Sequence, residues 1–150
     1  MLNYPLPWGQ RTFVMGIINV TPDSFSGDGL LHGGASAAAL EQARRFVAAG
    51  ADILDIGGES TRPGAMPVSA DEEIERVVPV VQELAAAGLG ALISVDTFKA
   101  RVAEAALKAG AHWVNDVWGF RADPELALVA ACSGAPVILM HNRSKPVNAE

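Results

Sequence analysis

The chain has 150 residues, of which 50% are hydrophobic, and a formal net charge of −6 at pH 7. This length predicts one domain, and an acidic balance without a basic cluster argues against nucleic-acid binding. No apolar run reaches the roughly 18 residues that cross a membrane, and the N-terminus lacks the basic start and long apolar core of a secretory signal. The single cysteine, Cys132, excludes an intrachain disulfide and fits a reducing cytoplasm, and its apolar surroundings predict a buried side chain.

Five short apolar runs predict strands that are buried on both faces, as in a parallel sheet. In chain order they are Phe13–Ile18, Ile53–Ile56, Leu92–Val95, Trp113–Asn115 and Val137–Met140. The segments between them have helical patterns, so the chain is predicted to be an α/β protein of repeated strand–helix units.

The first two helices have clear local signals. Ser36 is expected to cap a helix that runs to Ala49. Ser69-x-x-Glu72 is a capping box, and the apolar residues that follow it lie on one helical face. Pro79 lies inside this second helix, where we expect a bend or a local break.

The last two helices are predicted from their ends. Thr97 or Phe98 is expected to open the third helix, which runs to Gly110. Asp123 followed by proline predicts the start of the fourth helix, which ends near Gly134.

Polar residues recur at or just past the carboxyl end of each predicted strand: Asn19, Asp55, Asp96, Asn115 and His141. Strands that feed polar groups to one face are typical of a (β/α)8 TIM barrel, which usually needs about 250 residues. We therefore expect residues 1–150 to form only the first five strands and four helices of such a barrel. The first and fifth strands would then be exposed edges, which favours self-association, and we expect a homodimer.

Four motifs lie at strand ends in this chain. They are NVTPDSFS (19–26), DIGGESTRPGA (55–65), SVDTFK (94–99) and VNDVWG (114–119). Together they resemble the signature of the dihydropteroate synthases, which are pterin-binding enzymes of folate biosynthesis. The resemblance implies a TIM barrel, a magnesium ion, and a reaction that joins (7,8-dihydropterin-6-yl)methyl diphosphate to 4-aminobenzoate and releases pyrophosphate. It implies small-molecule substrates; the cytoplasmic location that we expect is based on the single cysteine.

The resemblance assigns Asn19 to magnesium and the diphosphate. Magnesium prefers oxygen ligands, and an amide oxygen adds no negative charge against a diphosphate. The alternative for Asn19 is a side-chain turn at the strand end. Asp96 is expected to bind the pterin, because one carboxylate accepts hydrogen bonds from the ring N–H and the exocyclic amine together. The alternative for Asp96 is an N-cap of the third helix.

The remaining site residues also follow from the resemblance. Asn115 is assigned to the pterin, and Met140 to an apolar wall of its pocket, with plain barrel core as the alternative for Met140. In the second loop, Thr61 is a diphosphate contact and Arg62 suits an anion or the aminobenzoate region; a solvated loop arginine is the alternative for Arg62. We also expect the two loops, 19–35 and 57–69, to close over the substrates and exclude water. Phe25 and Pro63 would then border the aminobenzoate.

Several charged residues are expected to have structural roles and not to bind a ligand. Glu59 is expected to hold the second loop by accepting backbone hydrogen bonds, and Asp116 is expected to be structural. Asp52, Lys99, Lys108 and the acidic run Asp71–Glu75 are interpreted as solvated ends of helices or strands.

Two other functions fit parts of the pattern. A corrinoid-type pterin methyltransferase shares the barrel and an Asp/Asn pterin pocket, but a methyl carrier brings no diphosphate for the two loops to bind. A non-catalytic half-barrel that at most binds pterin would fit the short chain, whereas the intact loop motifs favour an enzyme.

Overall fold

Strands and helices alternate along the chain. The computed structural model describes residues 6–21, 33–60, 66–141 and 143. Within these residues the elements are β1 (Met15–Asn19), α1 (Gly33–Ala48), β2 (Ile53–Gly57), α2 (Ala70–Ala87), β3 (Leu92–Asp96), α3 (Ala100–Ala109), β4 (Trp113–Asp116), α4 (Glu125–Ser133) and β5 (Val137–Leu139).

The strands form one parallel sheet in the order β1-β2-β3-β4-β5. Each neighbouring pair is consecutive in sequence, and one helix lies between each of the four pairs of strands in the chain, as parallel pairing requires. This strand order, in which each strand lies next to the one that follows it in the chain, is that of a TIM barrel, and it confirms the predicted first five strands and four helices of that fold.

The two faces of the sheet have separate cores. Outward-facing residues such as Ile18, Ile56 and Val95 pack with α2 residues such as Val77 and form the main buried cluster beneath the helices. On the inner face, a smaller cluster lies toward the amino ends of the strands: Ile53, Leu92 and Trp113, with Leu6, Met15 and Ile138 against them. On β1, β3 and β4, the carboxyl end of the inner face carries polar residues instead: Asn19, Asp96 and Asn115.

Two helix starts differ from the sequence predictions. Helix α1 begins at Gly33, and Ser36 is a buried residue within it and not its cap. Helix α3 begins at Ala100 and not at Thr97 or Phe98, because the Thr97 hydroxyl accepts the Lys99 N–H (3.2 Å) and holds a turn ahead of the helix.

The side-chain cap that the sequence predicts at Ser69, ahead of α2, is present. Ser69 Oγ accepts the N–H of Glu72 at 3.2 Å, and the helix continues through Pro79 to a left-handed Gly88. No helix among the described residues is both long and apolar enough to span a membrane.

The prediction for Cys132 was wrong, because this residue is exposed. Helix α4 buries Leu126 and Ala130, which are four residues apart and share a face. Cys132 follows Ala130 by two positions and so lies on the other side of the helix.

The outer strands of the sheet expose apolar side chains. On β1 and just before it, Ile17 and Val14 are more than half exposed; on β5, Val137 and Leu139 are partly exposed. These residues lie on both faces of the two edge strands, β1 and β5. In a closed barrel, further strands and helices cover such residues.

Candidate functional site

The strand register aligns residues of the inner face in rows across the sheet. The row nearest the carboxyl ends consists of Asn19, Gly57, Asp96, Asn115 and Ile138. Parallel strands in this register bring side chains from distant parts of the chain to one edge of the sheet. The structure therefore brings together three of the predicted site residues, Asn19, Asp96 and Asn115.

Gly57 separates Asn19 from Asp96 and leaves a gap between them. A Cβ atom built on Gly57 would lie 3.5 Å from Asn19 Oδ1 and 3.6 Å from Asp96 Oδ2. The side-chain oxygens of Asn19 and Asp96 thus lie on either side of Gly57, which has no side chain to fill the space between them. The gap gives a ligand access to the Asn19 amide and the Asp96 carboxylate at the same edge.

The Asp96 carboxyl group is unusually basic. Burial, together with the negative charges of Asp55, Glu73 and Asp116, raises its pKa from 3.8 to about 7. A carboxyl group that is poised near neutral pH, at the end of a barrel strand, is typical of a functional site. The alternative that Asp96 caps α3 is wrong, because the Ala100 N–H at the start of that helix donates to Asp123 Oδ2 at 2.8 Å.

Asp55 lies in the next row inward and holds the Asn115 amide. Asn115 Nδ2 donates to Asp55 Oδ2 at 2.9 Å, which fixes the orientation of that side chain. Burial raises the pKa of Asp55, whereas the adjacent Ser94 and Asn115 lower it. The position of Asp55 at a strand end was predicted, but this contact with Asn115 was not; an acidic residue in an otherwise apolar, buried strand is the sequence signal that points to it.

Two buried side-chain oxygen atoms in this row lack a hydrogen-bond partner within the described residues. Asp55 Oδ1 and Ser94 Oγ are neighbours across the β2–β3 pairing, but neither makes a hydrogen bond of normal geometry within the described residues. Buried polar atoms without partners are rare in native proteins. Water or a polar ligand in the interior of the barrel would satisfy them.

Asp116 organises the loop after β4 and is structural, as expected. Its two carboxylate oxygens accept the N–H groups of Trp118 (2.8 Å) and Phe120 (2.6 Å). Its carbonyl oxygen accepts the Met140 N–H at 3.1 Å.

Met140 lies just past β5 and is 47% exposed, so within the described residues it is not a buried core residue. Its role as a wall of the pterin pocket stays a prediction.

The other predicted site residues, namely Phe25, Thr61, Arg62 and Pro63, lie outside the described residues. Glu59, next to that second loop, does accept a backbone hydrogen bond, from the Val68 N–H to Oε1 at 3.1 Å.

Three of the charged residues that were predicted to be solvated have mostly covered side chains: Glu73, Lys99 and Asp52, which is 14% exposed and pairs with Arg11. Only 1% of the Glu73 side chain and 15% of the Lys99 side chain are exposed, and the two form an ion pair. Asp71 and Lys108 are exposed, as predicted. The sequence pattern did not distinguish these residues because their partners lie far away in the chain: Lys99 and Glu73, for example, are 26 positions apart.

Comparisons with known proteins identify the family of this chain. The chain matches the family described as "Pterin binding enzyme" over residues 15–150, and it belongs to that family. It is 54% identical to the dihydropteroate synthase of Bacillus subtilis over 92% of this chain, and 52% identical to that of Synechocystis over 93% of this chain; each match spans 47% of the relative.

Solved structures give the same result. A Xanthomonas albilineans dihydropteroate synthase with 4-aminobenzoic acid aligns with a TM-score of 0.83 and 47% identity, covering 90% of this chain and 48% of that one. A Clostridium difficile dihydropteroate synthase in the presence of pteroic acid aligns with a TM-score of 0.85 and 46% identity, covering 97% and 55%. The chain spans about half the length of the curated relatives that it matches.

Proposed function

We propose that this chain carries the pterin-binding half of a dihydropteroate synthase. The observation that supports it most is the row in which Asn19 and Asp96 flank the gap at Gly57, with Asn115 beside them. The relatives named dihydropteroate synthase, at 54% and 52% identity, give independent support.

The pterin fits the chemistry of this row. The ring has an amide N–H and an exocyclic amine side by side, and an ionised Asp96 accepts hydrogen bonds from both. The Asn115 amide, oriented by Asp55, meets a second edge of the ring with a donor and an acceptor. The unpaired buried oxygens of Asp55 and Ser94 make the interior behind the ring polar.

In the proposed reaction the amine nitrogen of 4-aminobenzoate attacks the methylene carbon of the dihydropterin. The carbon–oxygen bond breaks, pyrophosphate leaves with the electron pair, and the amine loses a proton. The residues of this chain bind and orient the pterin so that the methylene carbon faces the attacking amine, which is a contribution of position and not of acid–base chemistry. Thr61 and Arg62 are the proposed contacts for the diphosphate and the aminobenzoate, and Phe25 and Pro63 the proposed apolar border of the second substrate.

A magnesium ion would neutralise charge on the departing diphosphate. Within the described residues no group of three or more His, Cys, Asp or Glu side chains is placed to hold a metal. The donor set fits magnesium in another way, because Asn19 Oδ1 opens onto the gap at Gly57 and magnesium commonly takes one or two protein oxygens together with substrate phosphates and water.

We further propose a cytoplasmic homodimer. The exposed apolar residues of β1 and β5 favour association, and the absence of a disulfide framework is in keeping with a reducing compartment. Sedimentation velocity of the purified chain tests the dimer, and a monomer at all concentrations would refute it.

Calorimetric titration of this chain with the dihydropterin diphosphate, with and without magnesium, tests the proposed function. We expect binding that is lost in Asp96→Asn and kept in the control Asp71→Asn, which alters an exposed carboxylate of α2. Pyrophosphate release on adding 4-aminobenzoate would extend the proposal to catalysis. Binding without release would assign the chain as a non-catalytic pterin-binding half, and a folded chain that binds no pterin would refute the proposal.

A further inference from the structure

Behind the pocket lies a cluster of three charged side chains: Glu59, Glu73 and Lys99. Lys99 Nζ donates to Glu59 Oε2 at 2.6 Å and to Glu73 Oε2 at 2.6 Å. Its third hydrogen bond goes to the carbonyl oxygen of Val68 at 2.7 Å. An ammonium group has three donors, so the geometry uses all of them.

The cluster is buried. The exposed fractions of the side chains are 15% for Lys99, 9% for Glu59 and 1% for Glu73. Burial raises the pKa of Glu73, and the hydrogen bond and charge of Lys99 oppose that shift. A single ammonium group therefore compensates two carboxylates that would otherwise be desolvated without a cation, a costly arrangement.

The cluster joins the carboxyl end of β2 to the start of α2. Glu59 follows β2, and its Oε1 accepts the Val68 N–H while Lys99 holds the Val68 carbonyl. Gly58 packs directly against α2, since a Cβ there would lie 2.7 Å from Val77 Cγ2 and 2.9 Å from Glu73 Cγ.

The cluster also joins this region to the residues that follow β3. The Lys99 N–H donates to Thr97 Oγ1, and the Thr97 N–H donates to the Asn115 carbonyl at 3.0 Å. Asp96 immediately precedes this turn. Lys99 is thus connected to the ends of three strands: to β2 through Glu59, to β3 through Thr97, and to β4 through the hydrogen bond from Thr97 to Asn115. These strand ends carry Gly57, Asp96 and Asn115.

We propose that Lys99 is a positioning residue for the pocket. It fixes the spacing between the end of β2 and the turn after Asp96, and so sets the geometry that a pterin meets, without touching the ligand itself. This inference rests on the proposed function for its ligand, whereas the link that Lys99 makes between the elements is a property of the ligand-free chain.

The test compares Lys99→Met with Lys108→Met. Lys108 is a matched control because it lies on α3, the helix that Lys99 immediately precedes, pairs with Glu104 and is exposed. Lys99→Arg keeps the charge and tests rescue. Glu59→Gln is a milder variant that retains the Lys99–Glu73 pair, and it replaces Lys99→Met if that variant does not fold.

The first readout is amide hydrogen exchange in the ligand-free proteins, followed by NMR. We expect the Val68 and Lys99 amides to exchange at least about tenfold faster in Lys99→Met, while Ile93 and Val95 in the centre of β3 keep their wild-type rates. Lys108→Met should match the wild type throughout. Unchanged exchange at Val68, in Lys99→Met or in Glu59→Gln as its replacement, would overturn the proposal.

The second readout is affinity for the dihydropterin diphosphate, measured by calorimetry on folded protein. We expect binding at least about tenfold weaker in Lys99→Met, partial recovery in Lys99→Arg and no change in Lys108→Met. Wild-type affinity in Lys99→Met would overturn the positioning role even if exchange is faster. If the wild-type chain binds no pterin, the proposed function fails, and the exchange comparison alone still decides whether Lys99 holds these elements together.

Discussion

The raised pKa of Asp96 implies that ionising this buried carboxyl group lowers the free energy of unfolding of the chain. Replacement by asparagine keeps the size of the side chain and removes its charge. We expect Asp96→Asn to make the chain more stable while it abolishes pterin binding. This opposite effect on the two properties distinguishes a ligand-binding carboxylate from a structural one.

The magnitude follows from the pKa of Asp96, which burial and its acidic neighbours raise from 3.8 to about 7. Between these values the folded chain holds a proton that the unfolded chain has lost, so the free energy of unfolding of the wild type falls as the pH rises. The penalty levels off above the folded pKa. It amounts to about 2 kcal/mol at about pH 5 and about 4 kcal/mol above about pH 8, and the asparagine variant escapes it.

Urea unfolding, followed by circular dichroism across this pH range, is the assay. We expect the stability advantage of Asp96→Asn over the wild type to increase with pH and to reach its plateau near pH 8. Asp71→Asn, at an exposed carboxylate, should show no such pH-dependent gain. Curves for Asp96→Asn and the wild type that stay parallel over the whole range would refute the reasoning, because Asp96 would then ionise normally in the folded chain.

Three further substitutions test the packing around the site. Gly57→Ala places a methyl group in the gap at ordinary contact distances, so the free energy of unfolding should change by less than about 1 kcal/mol while calorimetry shows weaker pterin binding. Gly58→Ala, one residue on, puts its Cβ 2.7 Å from Val77 Cγ2, and urea unfolding should show a loss of about 1–3 kcal/mol; equal stability of the two variants would contradict this geometry. Ser69→Ala removes the side-chain acceptor of the Glu72 N–H and should cost about 1 kcal/mol in the same assay, with unchanged pterin affinity; no loss would mean that this cap adds nothing.

The sequence predicted the residues at the carboxyl edge of the sheet because that prediction depends on local pattern alone. Alternating apolar runs and helical segments imply parallel strands, and parallel strands place their ends at one edge. Asn19, Asp96 and Asn115 therefore meet in the structure as expected. Their individual ligand contacts stay predictions, as do those of the site residues outside the described ranges.

The sequence did not predict how side chains pair across the fold. The bond from Asn115 to Asp55 joins residues 60 positions apart, and that from Lys99 to Glu59 joins residues 40 apart. No local spacing indicates such pairs, so Lys99 looked like an ordinary solvated lysine.

By itself, the sequence determined the order of the elements, the kind of sheet and the polar edge where a ligand would bind, since each depends on periodicity and on residue type at strand ends. Only the tertiary structure decided which charges are buried, where α3 begins and which face of α4 exposes Cys132. These depend on desolvation and on contacts between elements that are distant in the chain. A pKa near 7 at Asp96 arises in the same way, from burial beside three other carboxylates.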